Sequence, residues 1–178
     1  AHLYDAAANG VKVQLLVRGI TCLRNDLPEL HGNIEVHSIV GRFLEHSRIY
    51  YFESNGHEEI YLASADMMTR NLNRRVEELY PVTQADTKAR AIQIFDIMWR
   101  DNVKTRVLEG DHYERLDRDG AAPFNSQEYF VQEAVRLNKQ DNKQQKARRH
   151  FPNVFETLSK HVPSLHLKEK DDANGKDD

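Results

Sequence analysis

His46 lies between Arg42 and Arg48, directly before the aromatic run Ile49-Tyr50-Tyr51-Phe52. Imidazole gains and loses its proton near neutrality, and guanidinium is a permanent, forked cation. A proton carrier flanked by two such cations suits phosphoryl chemistry. The ring can donate or take a proton or attack phosphorus, while the guanidinium groups neutralise phosphate oxygens. The same spacing also fits a surface histidine beside two solvated arginines, so other residues must decide between the readings.

A second block, residues 60–77, adds weight to the first. Ile60 to Ala63 reads as a strand, followed by the small and polar residues Ser64, Asp66, Thr69 and Asn71, with Arg70, Arg74 and Arg75 close by. A hairpin would bring these beside His46 and add phosphate donors to one pocket. Taken alone, Asn71 to Arg75 reads as an exposed loop. Arg18 ends a strand-like run, Val11 to Val17. Ligands of open α/β sheets sit beyond the carboxyl ends of strands, so an anion contact is expected at this arginine. The primary phosphate-binding candidates are therefore Arg18, Arg42, His46 and Arg48, with His46 as the catalytic candidate. The secondary candidates are Ser64, Asp66, Arg70, Asn71 and Arg74.

These residues need a scaffold. Leu3 to Ala8 reads as the end of a helix stopped by Asn9-Gly10, and Val11 to Val17 as a buried strand. Pro28 and Gly32-Asn33 bracket a loop. Ile34 to Val40 alternates as a strand does, with Ile34, Val36 and Ser38 on one face. Arg48 to Glu53 and Glu59 to Ala63 form a hairpin about Asn55-Gly56, a strong turn signal. Val76 to Tyr80 reads as a further strand stopped by Pro81. Thr83 to Asn102 is the clearest helix, with Ala85, Ala89, Ile92, Phe95 and Trp99 at spacings of three and four. That spacing makes Trp99 a core residue rather than a base-stacking platform. Lys104 to Leu108 suggests a short strand, and Ser126 to Leu137 a closing helix with Ser126 as its N-cap.

Bulk properties narrow the function. A chain of 178 residues with 39% hydrophobic residues allows one ordinary domain and a polar tail. The formal net charge of -3 offers no global basic field, which argues against nucleic acid as a partner. Cys22 is the single cysteine, so an internal disulfide and a multi-cysteine metal site are excluded. Its apolar neighbours suggest buried filler, and a reducing intracellular setting follows. Neither a membrane span nor a signal peptide is evident. The opening without methionine, running straight into a helix end, suggests a piece of a longer protein. After Asn138 the composition turns polar, and much of that tail is expected to be mobile, with at most one weak helix over 150–167. His150, His161 and His166 lie there without metal-ligand spacing.

Three stretches resemble the C-terminal part of type 1 polyphosphate kinase: Leu15 to Ile20, Ser38 to Phe52, and Ser64-Ala65-Asp66 through Asn71 to Glu77. The resemblance implies a phospholipase D-like α/β fold, a mixed sheet flanked by helices. The domain would occupy residues 1–138, with a charged extension over 139–178. Phospholipase D-like proteins carry His-x-Lys-x-x-x-x-Asp; here His46-x-Arg48-x-x-x-x-Glu53 stands in its place. The lysine-to-arginine change keeps phosphate binding and weakens the case for an ordinary phosphodiesterase.

The implied activity is reversible transfer of the terminal phosphate of ATP to inorganic polyphosphate. It would run through a phosphohistidine on a preceding domain that this chain lacks, which would leave the isolated piece inactive. His46 matches the family's other histidine, near the nucleotide phosphates, and Arg18 matches an arginine that contacts the nucleotide. ATP or ADP, polyphosphate, the preceding domains and further copies of the enzyme are the implied partners. Magnesium would accompany ATP, carried mainly outside this chain, since Asp66 alone is a weak ligand. The implied setting is cytoplasmic, at the periphery of the inner membrane. Two other readings keep the same residues. One is a phosphodiesterase or nuclease half-site completed by dimerisation, and the other is a non-catalytic nucleotide- or polyphosphate-binding domain.

Overall fold

The computed structural model describes residues 1–19 and 21–148, with side chains to position 142. The chain divides into two compact units, Ala1–Glu133 and Ala134–Asp178. Everything that bears on function below lies in the first.

That unit is built on two sheets. The first is mixed, with strand order β1 (Val13–Leu16), β2 (Ile34–Ile39), β6 (Thr105–Glu109), β7 (His112–Arg115). β1 runs parallel to β2, with Val13 opposite Ile34, and the remaining pairs are antiparallel. The second sheet is antiparallel, β3 (Ile49–Ser54), β4 (His57–Ala63), β5 (Leu79–Pro81). A mixed α/β fold was expected, and its strands separate into these two sheets.

Each sheet has its own core. Ala7, Leu30, Ile34, Val36 and Leu108 are buried together beneath helix α1 (His2–Ala8) and a 3-10 turn at Pro28–Leu30. Ile60, Val82 and Ala91 are buried against the second sheet, where Ala91 belongs to helix α3 (Ala85–Trp99). The far end of α3 serves the first sheet. There Trp99 stacks on His37 of β2, with ring centroids 3.9 Å apart and planes 8° from parallel. Trp99 is a packing residue, as its helical spacing suggests. The stack also explains why β2 departs from simple alternation. His37 is 3% exposed on the face opposite Val36, because α3 covers that face too.

The β3–β4 hairpin turns at Asn55 and Gly56, both at positive φ (51° and 84°), which is why an Asn-Gly pair occupies the turn. Several elements differ from the sequence reading. β1 is shorter than Val11–Val17 and half-buried, since it pairs on one side only. Asn71 to Arg75 is not a loop. Thr69–Arg74 is a short helix, α2, with Asn71 buried. β5 begins at Leu79 and includes Pro81, which an edge strand tolerates because no ladder donor is needed on its outer side. β7 was not anticipated.

Cys22 is exposed rather than buried. It lies in an extended segment whose alternate residues Thr21, Leu23, Asn25 and Leu27 turn inward, leaving Cys22, Arg24 and Asp26 outside. Helix α4 (Ser126–Arg148) continues past Leu137, where Lys, Gln, Ala and Arg are all good helix formers and neither Gly nor Pro intervenes. Among the described residues no helix is long and apolar enough to cross a membrane. The weak helix expected over 150–167 and the three tail histidines lie outside the described residues.

Candidate functional site

Three chain segments meet at one carboxylate. β1 ends with the Val17 amide bonded to the His37 carbonyl (2.8 Å), and the next residue is Arg18. β4 ends at Ala63 and is followed by Ser64, buried Ala65 and Asp66. Arg48 immediately precedes β3 and is fixed to β4 by a bond from the Ala63 amide to its carbonyl (3.1 Å). Arg18 donates to Oδ2 of Asp66 at 2.9 Å, and Nε of Arg48 donates to Oδ1 at 3.1 Å. Each guanidinium thus holds one oxygen of the same carboxylate. The Asp66 side chain is 27% exposed, and those of Arg18 and Arg48 are 31% and 14% exposed.

His46 completes the group. Arg48 donates to the His46 carbonyl at 3.2 Å, and its terminal nitrogens lie 3.1 Å from Nδ1 and 3.4 Å from Nε2 of the ring. Arginine can only donate, so a neutral ring accepts from Arg48 through its one unprotonated nitrogen, and only one of the two ring contacts is a hydrogen bond. The second terminal nitrogen contact of Arg18 is with the carbonyl of Glu45, at 3.1 Å. The loop carrying His46 is therefore tied to the end of β1. Arg18 and Arg48 bring two positive charges to the single negative charge of Asp66. The Arg48 hydrogen bond, aided by the charges of Arg48, Arg18 and His46 and opposed by partial burial, holds the Asp66 carboxyl below its ordinary range. The Tyr50 hydroxyl donates to the Ala65 carbonyl (3.3 Å) behind this carboxylate. Its pKa is raised, first by burial and then by the Asp66 charge.

The other candidates fall elsewhere. Arg42 is exposed, with its guanidinium carbon 5.2 Å from the centroid of the Phe43 ring. Ser64 donates to Oε2 of Glu77 (2.5 Å) and accepts from the Glu78 amide (2.9 Å). Asn71 donates to the other Glu77 oxygen at 3.4 Å, which makes Ser64, Asn71 and Glu77 a second polar cluster. Arg70 and Arg74 are exposed on α2.

Glu53, aligned with the aspartate of the phospholipase D-like pattern, accepts from the Gly56 amide (2.7 Å) and serves the hairpin turn. The carboxylate beside the histidine is Asp66 instead. Tyr50, the Glu45 carbonyl and Glu77 were not singled out in the sequence. Tyr50 alone carried a local signal, as the second residue of the strand that starts beside Arg48.

A fit to magnesium is poor here. Both Asp66 oxygens are engaged by guanidinium groups, and among the described residues no three His, Cys, Asp or Glu side chains gather as a metal site.

Residues 1–127 match the family model described as polyphosphate kinase C-terminal domain 2. The chain belongs to that family. Every candidate residue named above lies within the matched span. A polyphosphate kinase of Lactiplantibacillus plantarum is 55% identical over 143 residues, covering 80% of this chain and 20% of that protein. One of Staphylococcus haemolyticus is 48% identical over 139 residues, covering 78% of this chain and 19% of that protein. The crystal structure of polyphosphate kinase from Porphyromonas gingivalis superposes with a TM-score of 0.71 at 34% identity, over 78% of this chain and 21% of that one. The chain thus spans about a fifth of the length of the polyphosphate kinases it matches.

Proposed function

We propose that this chain is the part of an ATP:polyphosphate phosphotransferase that grips the phosphates, with ATP or ADP and inorganic polyphosphate as substrates. One observation carries the reading. Two arginines from distant parts of the sequence converge on a single, partly exposed carboxylate beside His46, at the carboxyl end of β1. Phosphoryl transfer spreads negative charge over the equatorial oxygens, so catalysis is largely positioning and charge neutralisation. A phosphate group entering the cluster would take the donors that Asp66 now holds, and its several oxygens suit two forked cations. Imidazole at this position would hydrogen-bond a phosphate oxygen or supply a proton to the departing one.

The phosphohistidine of the reaction would lie on a preceding domain, and the isolated chain would bind phosphates without turnover. Magnesium would arrive with the nucleotide and be held by its phosphates and the remaining domains. The phosphodiesterase reading is less well supported, because the acid of its pattern, Glu53, is committed to the hairpin turn.

The test has two arms. Titration of the 178-residue chain with inorganic tripolyphosphate should show binding that Arg18→Ala and Arg48→Ala each remove. Polyphosphate synthesis from ATP by the same chain should be undetectable. Robust synthesis would refute the claim that an absent domain carries the nucleophile. Hydrolysis of a nitrophenyl phosphodiester would favour the phosphodiesterase.

A further inference from the structure

The loop carrying His46 is poorly anchored by apolar packing. Val40 is 59% exposed, Phe43 48% and Leu44 73%. It is held instead by a side chain more than eighty residues downstream, Gln127, in the first turn of α4 and 8% exposed. Oε1 of Gln127 accepts the Phe43 amide at 3.0 Å, and Nε2 donates to the Phe43 carbonyl at 2.8 Å. Nε2 also donates to the Glu45 carboxylate at 2.5 Å. One side-chain amide thus pairs with both backbone groups of one residue, as a neighbouring strand would. A carboxylate could not, because it has nothing to donate. Gly41 makes room for the contact, since a Cβ there would overlap the Gln127 amide.

The clamp is rigid at its far end. Asp101, at the C-terminal side of α3, is fully buried. It accepts the Val103 and Lys104 amides (3.0 and 2.7 Å), and also the amide and hydroxyl of Ser126 (2.7 and 2.9 Å). The residue before Gln127 is therefore fixed from beneath. At the near end, the Glu45 carbonyl receives Arg18, and His46 follows in sequence. Hydrogen bonds, joined by the covalent steps Ser126-Gln127 and Phe43 to Glu45, thus connect a buried aspartate to the Arg18 cluster.

We infer that Gln127 is a positioning residue for the phosphate site. It holds residues 41–45 so that the Glu45 carbonyl orients Arg18 and the His46 ring stands beside Arg48. The inference rests on the phosphate-gripping function proposed above. Gln127 touches no substrate, and its effect is transmitted through the loop backbone.

The experiment uses the full 178-residue chain and inorganic tripolyphosphate. Gln127→Ala should speed hydrogen exchange of the Phe43 amide by about tenfold or more and weaken tripolyphosphate binding by roughly tenfold, the usual scale for a lost hydrogen bond to a partly buried group. Gln127→Glu should do at least as much harm, because it sets a carboxylate against the Phe43 carbonyl and Glu45. Adding Glu45→Gln restores a donor opposite position 127 and should recover part of the loss. Equal binding by wild type and both single variants would overturn the inference, as would unchanged Phe43 exchange or a double variant no better than Gln127→Glu. A variant that unfolds also counts against it, since a clamp confined to one loop should leave both cores standing. If wild type itself fails to bind tripolyphosphate, the proposed function falls, and the loop clamp is then judged on Phe43 exchange alone.

Discussion

Asp66 and Asp101 each gather several hydrogen bonds, in contrasting settings. Asp101 is fully buried and is satisfied by four neutral donors that join the end of α3 to the start of α4. Asp66 is partly exposed and holds two charged donors, Arg18 and Arg48, that face an open cluster. A buried acceptor with neutral partners is costly to disturb, because each donor left behind is unsatisfied. A partly exposed ion pair contributes little to stability. One carboxylate belongs to the framework, and on the proposed function the other would give up its partners to a phosphate.

This contrast can be broken most severely at Asp101. Asp101→Ala should lower the unfolding free energy by about 3 kcal/mol or more, as the loss of a buried polar hub does, read from the urea midpoint. A small shift would mean that water replaces the carboxylate and that the framework role is wrong. Next in size is His46→Ala in the intact enzyme. It should lower polyphosphate synthesis by about a hundredfold or more with little change in the urea midpoint. Near-normal turnover would make His46 a structural residue.

A smaller effect concerns pH and sharpens the framework side. Burial lowers the His37 pKa below its ordinary 6.5, with the Glu35 carboxylate partly offsetting it. The unfolded chain then binds the proton more readily than the folded one. The contribution is complete above that ordinary value and is lost as the pH falls through the folded value. Urea midpoints should drop on mild acidification in wild type and less so in His37→Gln; parallel profiles would contradict this. The smallest expected change is at Asp66. Its depressed pKa makes a contribution that is present above the ordinary 3.8 and lost in stronger acid, but exposure keeps it slight. Asp66→Asn should leave the neutral urea midpoint nearly unchanged while tightening tripolyphosphate binding a few-fold, because a competing negative charge is gone. Weaker binding would show that the carboxylate positions the arginines rather than occupying their ligand's place.

Local chemistry made part of this visible in the sequence. Arg18 follows a strand closely, His46 and Arg48 are neighbours, and Asn55-Gly56 dictates its hairpin, so each is readable within a few residues. The spacing of Ala89, Ile92 and Trp99 likewise announced α3. What was hidden depends on distant partners. Gln127 reads as one polar residue in a helix until the Phe43 backbone is opposite it. Asp101 reads as a surface acid until Ser126 arrives. Glu53 matched a pattern by spacing along the chain, yet strand geometry carried it to the hairpin turn while Asp66 came back to the histidine. Arg42 and Arg48 looked equivalent around His46, and only Arg48 is directed inward by the start of β3. Apolar neighbours of Cys22 do not bury it, because residues in its extended segment alternate in and out.

The stack of Trp99 on His37 has a practical corollary. The chain has one tryptophan, and it rests against β2, beside the strand that precedes Arg18. Indole emission excited at long wavelength therefore originates from a single, half-buried point beside that sheet. It offers an optical gauge of whether that sheet is intact, with no dye or label attached.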